Sequence, residues 1–256
     1  MPTDEELARY YATVYRAEYQ FLRRRPSDSH QRRKSEQAKE RVATLGKFVD
    51  LSAPLRILEI GCGSGEMVRA LAAMGHEAHG IEPNVDFATH AARDLPANAQ
   101  IHTGGWEAGL FPAHHFDVII CLHVIEHLNR PLDAIRQIRA WLGPGGTVML
   151  EVPDMRGYKT KGFDRFHFAH TLGFNRECLH LALEKCDLYP IKFCPTTLMI
   201  AAALGDRRAQ KWPLELRATA QEIRDSYQRG SGSLDHLKRH LGRLWRTIGH
   251  EMGRRK

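Results

Sequence analysis

Short apolar runs alternate with amphipathic stretches along the middle of the chain, which predicts strands alternating with helices. The first strand is predicted at 56–60; a glycine-rich turn, a helix over 66–74 and a second strand ending at Glu82 follow it. Runs this short and this apolar are typical of buried strands in a parallel sheet, because helices cover both faces of such a sheet. Segment 56–82 is therefore predicted to be a right-handed β-α-β unit around which the rest of the chain is organised.

The same pattern continues on the C-terminal side of this unit. Helices are predicted over 84–93, 130–142 and 175–186, and strands over 100–103, 116–121 and 147–152. Two final apolar runs, 188–194 and 197–203, meet at Pro195 and predict an antiparallel hairpin.

Two helices are predicted before the first strand. One begins at a capping box formed by Thr3 and Glu6 and extends towards Leu22, and the other ends near Val49. A helical cap over 1–50, an α/β domain over 51–205 and a basic helical extension over 206–256 are the three parts that we expect.

The composition fits a globular protein without a membrane span. Hydrophobic residues make up 43% of the 256 residues, and no apolar run reaches the length of about eighteen residues that a spanning helix needs. The acidic start of the chain does not resemble a secretory signal. Its five cysteines include no C-x-x-C pair, so buried free thiols in a cytoplasmic protein are expected rather than disulfides or a zinc site.

The positive charge is concentrated at the ends of the chain. The net charge is +7, and residues 206–256 carry 13 basic against 6 acidic residues, whereas 51–205 carry 13 against 16. A positive appendage that meets phosphate or anionic lipid is one interpretation, and a solvated helix face is the other. Within the tail, an apolar stripe from Leu234 to Ile248 with basic flanks resembles a helix lying on anionic lipid. Packing against the protein itself or a dimer partner is the alternative.

The glycine-rich turn carries the first functional signal. A dinucleotide-binding turn has the pattern G-x-G-x-x-G, but Glu66 occupies the place of the third glycine here, and the pattern is G-x-G-x-G. Glu59 directly before the turn would repel a pyrophosphate and would suit an ammonium or sulfonium group. Glu82 lies about twenty residues past the turn, where an acid can accept hydrogen bonds from ribose hydroxyls.

Residues 59–65, EIGCGSG, resemble motif I of the class I S-adenosylmethionine (SAM) methyltransferases. Residues 116–128 and the turn at 142–147 are also similar to stretches of that family. The resemblance covers about 51–203. It implies an α/β fold with a doubly wound, seven-stranded, mostly parallel, Rossmann-like sheet in the order 3-2-1-4-5-7-6, with N-terminal helices that lie across the SAM site as a lid or simply pack. Tyr11 and Tyr15 are the residues that would test the lid.

The resemblance also implies a SAM site. The glycines would cradle the methionine part, Glu59 would lie near its amino group, and Glu82 would bind the ribose. Gly105 stands where the family often has an adenine-binding Asp, so adenine recognition is expected from stacking on Trp106 or from backbone atoms, and a core position is the alternative for Trp106. The cofactor-binding set is Glu59, Gly61, Cys62, Gly63, Gly65, Glu82 and Trp106.

Chemistry is expected after the fourth strand. His123, Glu126 and His127 are spaced i, i+3 and i+4, which predicts one face of a helical turn, with His123 or His127 as a general base. The matching stretch of the quinone-biosynthesis O-methyltransferases carries Glu, Glu and His, which bind a divalent metal. His123 replaces the first Glu here; two nitrogens and one oxygen would favour zinc, iron or manganese. Hydrogen bonding that shapes the site is the alternative, and no metal ligand is assigned.

A second cluster, 163–170, follows the fifth strand and contains His167. In this fold such an insertion usually roofs the acceptor pocket, so His167 is a further catalytic candidate, with loop packing as the alternative. Residues 166–188 resemble bacterial methyltransferases of sugar and envelope-glycan pathways.

The predicted function is methyl transfer from SAM to a hydroxyl of a small molecule or a lipid-linked glycan. An RNA methyltransferase, suggested by the basic ends, and a non-catalytic SAM-fold partner protein are the alternatives. No sequence-specific nucleic-acid binding is expected. A cytoplasmic location with peripheral contact to anionic membrane through the C-terminal helix is expected.

Overall fold

The structure is a computed structural model that describes five ranges of the chain. They are residues 3–13, 28–107, 109–155, 170–194 and 199–204. The helices are α1 (Asp4–Thr13), α2 (Asp28–Leu45), α3 (Glu66–Ala73), α4 (Val85–Ala91), α5 (Pro131–Trp141) and α6 (Arg176–Glu184). The strands are β1 (Arg56–Ile60), β2 (Glu77–Glu82), β3 (Ala99–Thr103), β4 (Phe116–Leu122), β5 (Leu142–Glu151), β6 (Leu188–Phe193) and β7 (Met199–Leu204). A short 3₁₀ turn covers Ile125–His127.

The seven strands form one sheet in the order β3-β2-β1-β4-β5-β7-β6. Strands β1 to β5 are parallel, and β7 runs antiparallel to both of its neighbours. The predicted doubly wound sheet and its strand order are confirmed. The order reverses between β1 and β4, and in open α/β sheets ligands bind outside the carboxyl ends of the strands at such a point.

The two faces of the sheet carry separate hydrophobic cores. On β1, Ile57 packs into the core under α2 and α3, while Leu58 packs into the core under α5 and α6. On β4, Ile120 packs into the core under α2 and α3, and Ile119 packs into the core under α5 and α6. All four side chains are fully buried. Successive side chains of a strand point to opposite faces, so a central strand covered on both sides has to be apolar throughout.

Local hydrogen bonds begin the helices where the sequence predicts them. The backbone N–H of Thr3 donates to Oε2 of Glu6 at 2.8 Å, and the N–H of Glu6 donates to Oγ1 of Thr3 at 3.2 Å, which completes the capping box. The side chains of Asn84 and Asn175 each accept from the backbone N–H three residues later, at 3.1 and 2.8 Å.

Strand β5 begins earlier than the glycine pattern indicates. Residues 142–146 were expected as a turn, but Leu142 pairs with Phe116, and the register shifts between Phe116 and Val118. The strand therefore starts at Leu142 with an irregular first part. Pairing with β4 outweighs the turn preference of the glycines in this segment.

The cysteines are buried less completely than expected. No disulfide joins the five, all of which lie in the described ranges, and Cys62, Cys121 and Cys186 are buried. Burial raises the pKa of the Cys121 and Cys186 thiols, which keeps them protonated and unreactive. The prediction is wrong for Cys178, which is exposed on α6, and Cys194 is half-buried.

Among the described helices, none combines the length and apolar content that a bilayer crossing requires. The extension over 206–256, with its basic helices and its expected membrane contact, lies outside the described residues. The division of the chain at residues 50 and 205 stays a prediction.

Candidate active site

The glycine-rich turn lies between β1 and α3, beside the carboxyl end of β2. Gly61, Gly63 and Gly65 have φ angles of 77°, 58° and 81°, in the left-handed region that favours glycine. The N–H of Gly61 donates to the carbonyl of Ile81 at 2.8 Å. A Cβ on Gly61 would lie 2.6 Å from Cγ2 of Val124, so the turn packs directly against the segment after β4. The predicted cofactor-binding turn and the predicted catalytic segment after β4 are therefore adjacent.

Cys62 in the turn is buried because β2 has a glycine opposite it. A Cβ on Gly80 would lie 2.6 Å from Sγ of Cys62 and 2.8 Å from Cδ1 of Ile101. The end of the half-buried Ile101 side chain can rotate away, but Cβ of Cys62 also lies only 3.0 Å from this position, so Cys62 and the turn would have to shift. The missing side chain at Gly80 therefore sets the position of the turn.

We expect Gly80→Ala to lower the free energy of unfolding by about 1–3 kcal/mol, since the methyl group overfills this space. Urea denaturation measures the change. Gly46→Ala is the matched control, because a Cβ there meets its neighbours only at 3.7 Å. Adding Cys62→Ala to Gly80→Ala should recover part of the loss, and a double variant that is additively destabilised would contradict the steric explanation.

Glu82 joins the turn to the end of β2. Its side chain is buried; Oε2 accepts a hydrogen bond from the N–H of Gly63 at 2.8 Å, and Oε1 accepts one from the N–H of Asn84 at 3.0 Å. Each carboxylate oxygen can accept two hydrogen bonds. The arrangement therefore shapes the turn and is compatible with further bonds from ribose hydroxyls.

Glu59 is a buried carboxyl group on β1 directly before the turn. Its Oε2 has no hydrogen-bond partner among the described residues. Loss of hydration on burial raises the pKa of Glu59 to about 8, with Arg41 opposing this shift. Glu66 and Glu82 raise this pKa further, and Lys34 lowers it.

A cavity of about 70 Å³ lies between the turn and α2. Glu59 lines it on the sheet side, and Lys34, Ala38 and Arg41 line it from α2. We expected the N-terminal helices to form a lid or simply to pack, and neither expectation singled out the two basic residues that α2 places at the site. Their spacing places both with Ala38 on one helix face, but only the fold shows that this face meets the turn.

The segment after β3 differs from the expected adenine site. The side chain of Trp106 is half-buried and packs against the core under α5 and α6, which agrees with the core interpretation. The N–H of Gly105 donates to Oε1 of Glu107 at 3.1 Å. The exposed carboxylate of Glu107 therefore lies against Gly105, and Glu107 is not among the residues predicted for the site.

His123 is held at the carboxyl end of β4 by an unusual backbone conformation. Its φ angle is 57°, and its N–H donates to the carbonyl of Glu151 at 2.8 Å. Nδ1 of the ring lies 3.5 Å from Oε1 of Glu126, and Nε2 lies 3.6 Å from Oε2 of Glu151. The side chain is 44% exposed, so a reactant can approach the imidazole while two carboxylates flank it.

The predicted helical turn over 123–127 is wrong in its geometry. Only Ile125–His127 is helical, as a 3₁₀ turn, and Val124 before it has φ −126°. His123 reaches Glu126 because its left-handed backbone turns the chain back, not because the two residues share a helix face. The predicted grouping of His123 with Glu126 nevertheless holds.

Glu126, His127 and His170 form a set that could bind a divalent metal. One ligand atom of each lies within 4.8 Å of the others, and neither oxygen of Glu126 has a hydrogen-bond partner in the described part of the chain. The sequence analysis assigned no metal ligand, and this set has His170 in place of the His123 that the sequence spacing suggested. The other candidate of that loop, His167, lies outside the described residues.

Helix α1 lies across the carboxyl edge of the sheet. At one end, Nδ2 of Asn84 donates to the carbonyl of Ala12 at 2.7 Å, and at the other, Nδ2 of Asn129 donates to Oδ1 of Asp4 at 3.0 Å. Between them the hydroxyl of Tyr11 is 2.8 Å from Nδ1 of His127. The helix thus spans the crevice from β2 to the segment after β4, as the lid interpretation expects; Tyr15 lies outside the described residues.

A family model described as a methyltransferase domain matches residues 28–192, well over half of the chain. The chain belongs to this methyltransferase family. The predicted resemblance to the class I methyltransferases is confirmed.

Relatives of the methyltransferase differ in the acceptor that their names give. A tRNA U34 carboxymethyltransferase of Klebsiella pneumoniae is 30% identical over 166 residues, 61% of this chain and 49% of that protein. A ubiquinone biosynthesis O-methyltransferase of Cereibacter sphaeroides is 32% identical over 108 residues, 39% of this chain and 44% of that protein. The chain spans about half the length of these curated relatives, so the family does not decide the acceptor.

Solved structures agree on the fold. The methyltransferase superposes on 1,6-didemethyltoxoflavin-N1-methyltransferase of Burkholderia thailandensis, crystallised with S-adenosylhomocysteine, with a TM-score of 0.61. The match has 16% sequence identity and covers 80% of this chain and 92% of that one. At this identity the similarity concerns the fold alone.

Proposed function

We propose that the methyltransferase transfers the methyl group of SAM to a hydroxyl oxygen of a small molecule or glycan, with His123 as the general base. The observation that carries this proposal is the exposed imidazole of His123 between Glu126 and Glu151, beside the glycine turn. A hydroxyl acceptor must lose a proton as it is methylated, and this imidazole can receive it.

The cofactor lies along the glycine turn, with its methionine part directed into the cavity between the turn and α2. Glu59 binds the ammonium group of the methionine part, and Arg41 with Lys34 binds its carboxylate, which explains why cations and a buried acid line the same cavity. Glu82 accepts hydrogen bonds from the ribose, and Glu107 or Trp106 contacts the adenine. The glycines let the main chain approach the ligand closely.

The chemical step is an in-line displacement. The acceptor oxygen attacks the methyl carbon, the carbon–sulfur bond breaks, and its electron pair stays on sulfur as the thioether forms. The hydroxyl proton passes to His123, and the carboxylates of Glu126 and Glu151 compensate the positive charge on the ring. The enzyme supplies alignment and proton removal, since the sulfonium is itself a good leaving group.

A divalent metal fits the neighbouring set of Glu126, His127 and His170. When bound, it would polarise an acceptor oxygen. Without it, Tyr11 still orients the imidazole of His127 from α1, on the side of the crevice where the acceptor enters.

The assignment is tested with methyl-labelled SAM. The protein is incubated with metabolite, glycan and lipid-linked glycan extracts and, in parallel, with total tRNA, and mass spectrometry locates the labelled methyl group. A labelled methyl ether in the first set is expected, with the His123→Asn protein as the blank. Label found only in tRNA would overturn the proposal.

RNA is the second candidate acceptor for two reasons. The Klebsiella pneumoniae relative is named for a modification of tRNA, and this chain has a net charge of +7. If tRNA is the substrate, its binding should weaken steeply with salt, since Lys and Arg contacts to phosphate release counterions. A filter-binding series from low to physiological salt distinguishes the two candidates.

The pKa of Glu59 makes SAM binding depend on pH. In the free protein its carboxyl group holds a proton up to about pH 8, whereas the unfolded chain releases it near 4.5. Its contribution to stability is complete below about pH 4.5 and is lost as the pH rises to about 8.

An ammonium group favours the ionised form, so SAM binding at pH 7 should release a proton from Glu59.

Titration calorimetry at pH 7 in two buffers of different ionisation enthalpy measures this release. The α-amino group of a ligand can also titrate near pH 8, so the diagnostic quantity is the difference between the wild type and Glu59→Gln. We expect the variant to release fewer protons and to bind SAM more weakly at pH 8. Equal proton release in both proteins would contradict the assignment of Glu59.

A further inference from the structure

A second group of histidines lies away from the carboxyl edge, around the beginning of β2. Glu77 and His79 are two residues apart on this strand, so their side chains leave the same face. His115 directly precedes β4, and His102 lies on the neighbouring strand β3. The proposed methyl transfer uses none of them.

Three residues of this group, Glu77, His79 and His115, are close enough to bind one ion. A ligand atom of each of Glu77, His79 and His115 lies within 4.8 Å of the other two. Nε2 of His79 is 3.0 Å from Oε1 of Glu77. Zinc bonds of about 2.0–2.2 Å place tetrahedral ligands roughly 3.3–3.6 Å apart, so small side-chain rotations would give this geometry.

His102 contacts the ring nitrogen of His79 that does not face Glu77. Nδ1 of His79 lies 3.2 Å from Nε2 of His102. When His79 donates this hydrogen bond, its lone pair is on Nε2, the atom that faces Glu77. Metal-binding histidines usually donate their other N–H to a second group in this manner, and that group orients the ring.

Aromatic packing fixes both rings. His79 contacts the rings of Phe111 and Phe116 edge-on, with centroids 5.7 and 5.5 Å apart. The ring of His115 lies parallel to Phe111 within 5°, at 6.3 Å. The imidazoles are therefore pre-oriented, which reduces the entropy lost when an ion binds.

The group is open to solvent on one side. Glu77 and His79 border a cavity of about 590 Å³. The side chain of Glu77 is 50% exposed and that of His79 is 12% exposed. A hydrated ion can reach the ligand atoms, and a water molecule can complete the coordination.

We propose that Glu77, His79 and His115 bind a zinc ion, with His102 as the second group that orients His79. Two imidazole nitrogens and one carboxylate oxygen suit zinc better than magnesium or calcium, which prefer oxygen ligands. The ion would join the start of β2 to the segment before β4. Its role would be to stabilise the fold, independently of the proposed methyl transfer.

The test uses the full chain after treatment with EDTA and dialysis. Calorimetric titration with zinc chloride alone is expected to show a site that Glu77→Gln weakens by about tenfold or more and His115→Ala abolishes. Glu77→Gln alters an exposed side chain, so it should not affect folding. His102→Leu is expected to weaken zinc binding by about 10–100-fold, although it removes no zinc ligand. Zinc should also raise the Tm of the wild type by roughly 5 °C but not that of the ligand variants.

Glu126→Gln is the matched control, because it removes the carboxylate of the other histidine-containing set and should leave this zinc affinity unchanged. Cobalt substituted for zinc gives an absorption spectrum that reports tetrahedral coordination. Zinc binding that is lost in Glu126→Gln and kept in Glu77→Gln would overturn the proposal. So would a wild type that binds no zinc, or one in which neither ligand variant changes the affinity.

Discussion

His123→Asn is expected to lower kcat for methyl transfer by about 10²–10⁴-fold and to leave the Kd for SAM unchanged. The variant removes the proposed base but tolerates the local backbone, because Asn adopts left-handed φ angles more readily than most residues. Other substitutions at φ 57° would add strain to the loss of the imidazole. Single-turnover kinetics with the acceptor identified by mass spectrometry measures kcat, and calorimetry measures Kd.

His114 offers a matched control on the same chain. It too has a left-handed backbone, with φ 58°, and its ring contacts the carbonyl of Leu142 rather than the carboxyl edge. His114→Asn should keep full activity. If His123→Asn retains kcat within a few-fold of the wild type, His123 is not the base, and His127 is then the group to examine.

Glu82→Gln is expected to weaken SAM binding by about tenfold or more, since one charge-assisted acceptor for the ribose is lost. The same carboxylate holds the N–H of Gly63, so a lower affinity alone could come from a displaced turn. Affinity for S-adenosylhomocysteine is therefore compared with affinity for its 2′-deoxyribose analogue in both proteins.

The two effects separate in a thermodynamic cycle. If Glu82 binds the ribose, the wild type should lose affinity for the deoxy analogue, while Glu82→Gln should hardly distinguish the two ligands. Equal discrimination in both proteins would contradict ribose binding and leave Glu82 with only its bond to the turn. Unchanged affinity of the variant for SAM would remove the assignment altogether.

The sequence predicts well those features that depend on local spacing. Strand β1 and the caps at Thr3 and Asn84 lie where their patterns indicate, because a capping hydrogen bond or a run of apolar residues needs only near neighbours. The strand order was available only through the resemblance, since no local pattern specifies which strands pair.

Contacts between segments that are far apart in the chain could not be predicted from the sequence. Arg41 meets the glycine turn because α2 packs beside it, and Tyr11 meets His127 across 116 positions of the chain. The left-handed conformation of His123 has no signature in its neighbours, so a helical turn was the natural but wrong expectation. His115 joins Glu77 only because two strands that are far apart in sequence start near each other.

The attachment of α1 has a consequence for turnover. None of its residues is buried, and its contacts to the sheet edge include three hydrogen bonds from polar side chains. Such bonds contribute about 1 kcal/mol each, which is little beside the apolar burial that holds the sheet and its two cores together. On the proposed function, exchange of spent for fresh cofactor would need only this helix to open, while the sheet and both cores stay intact.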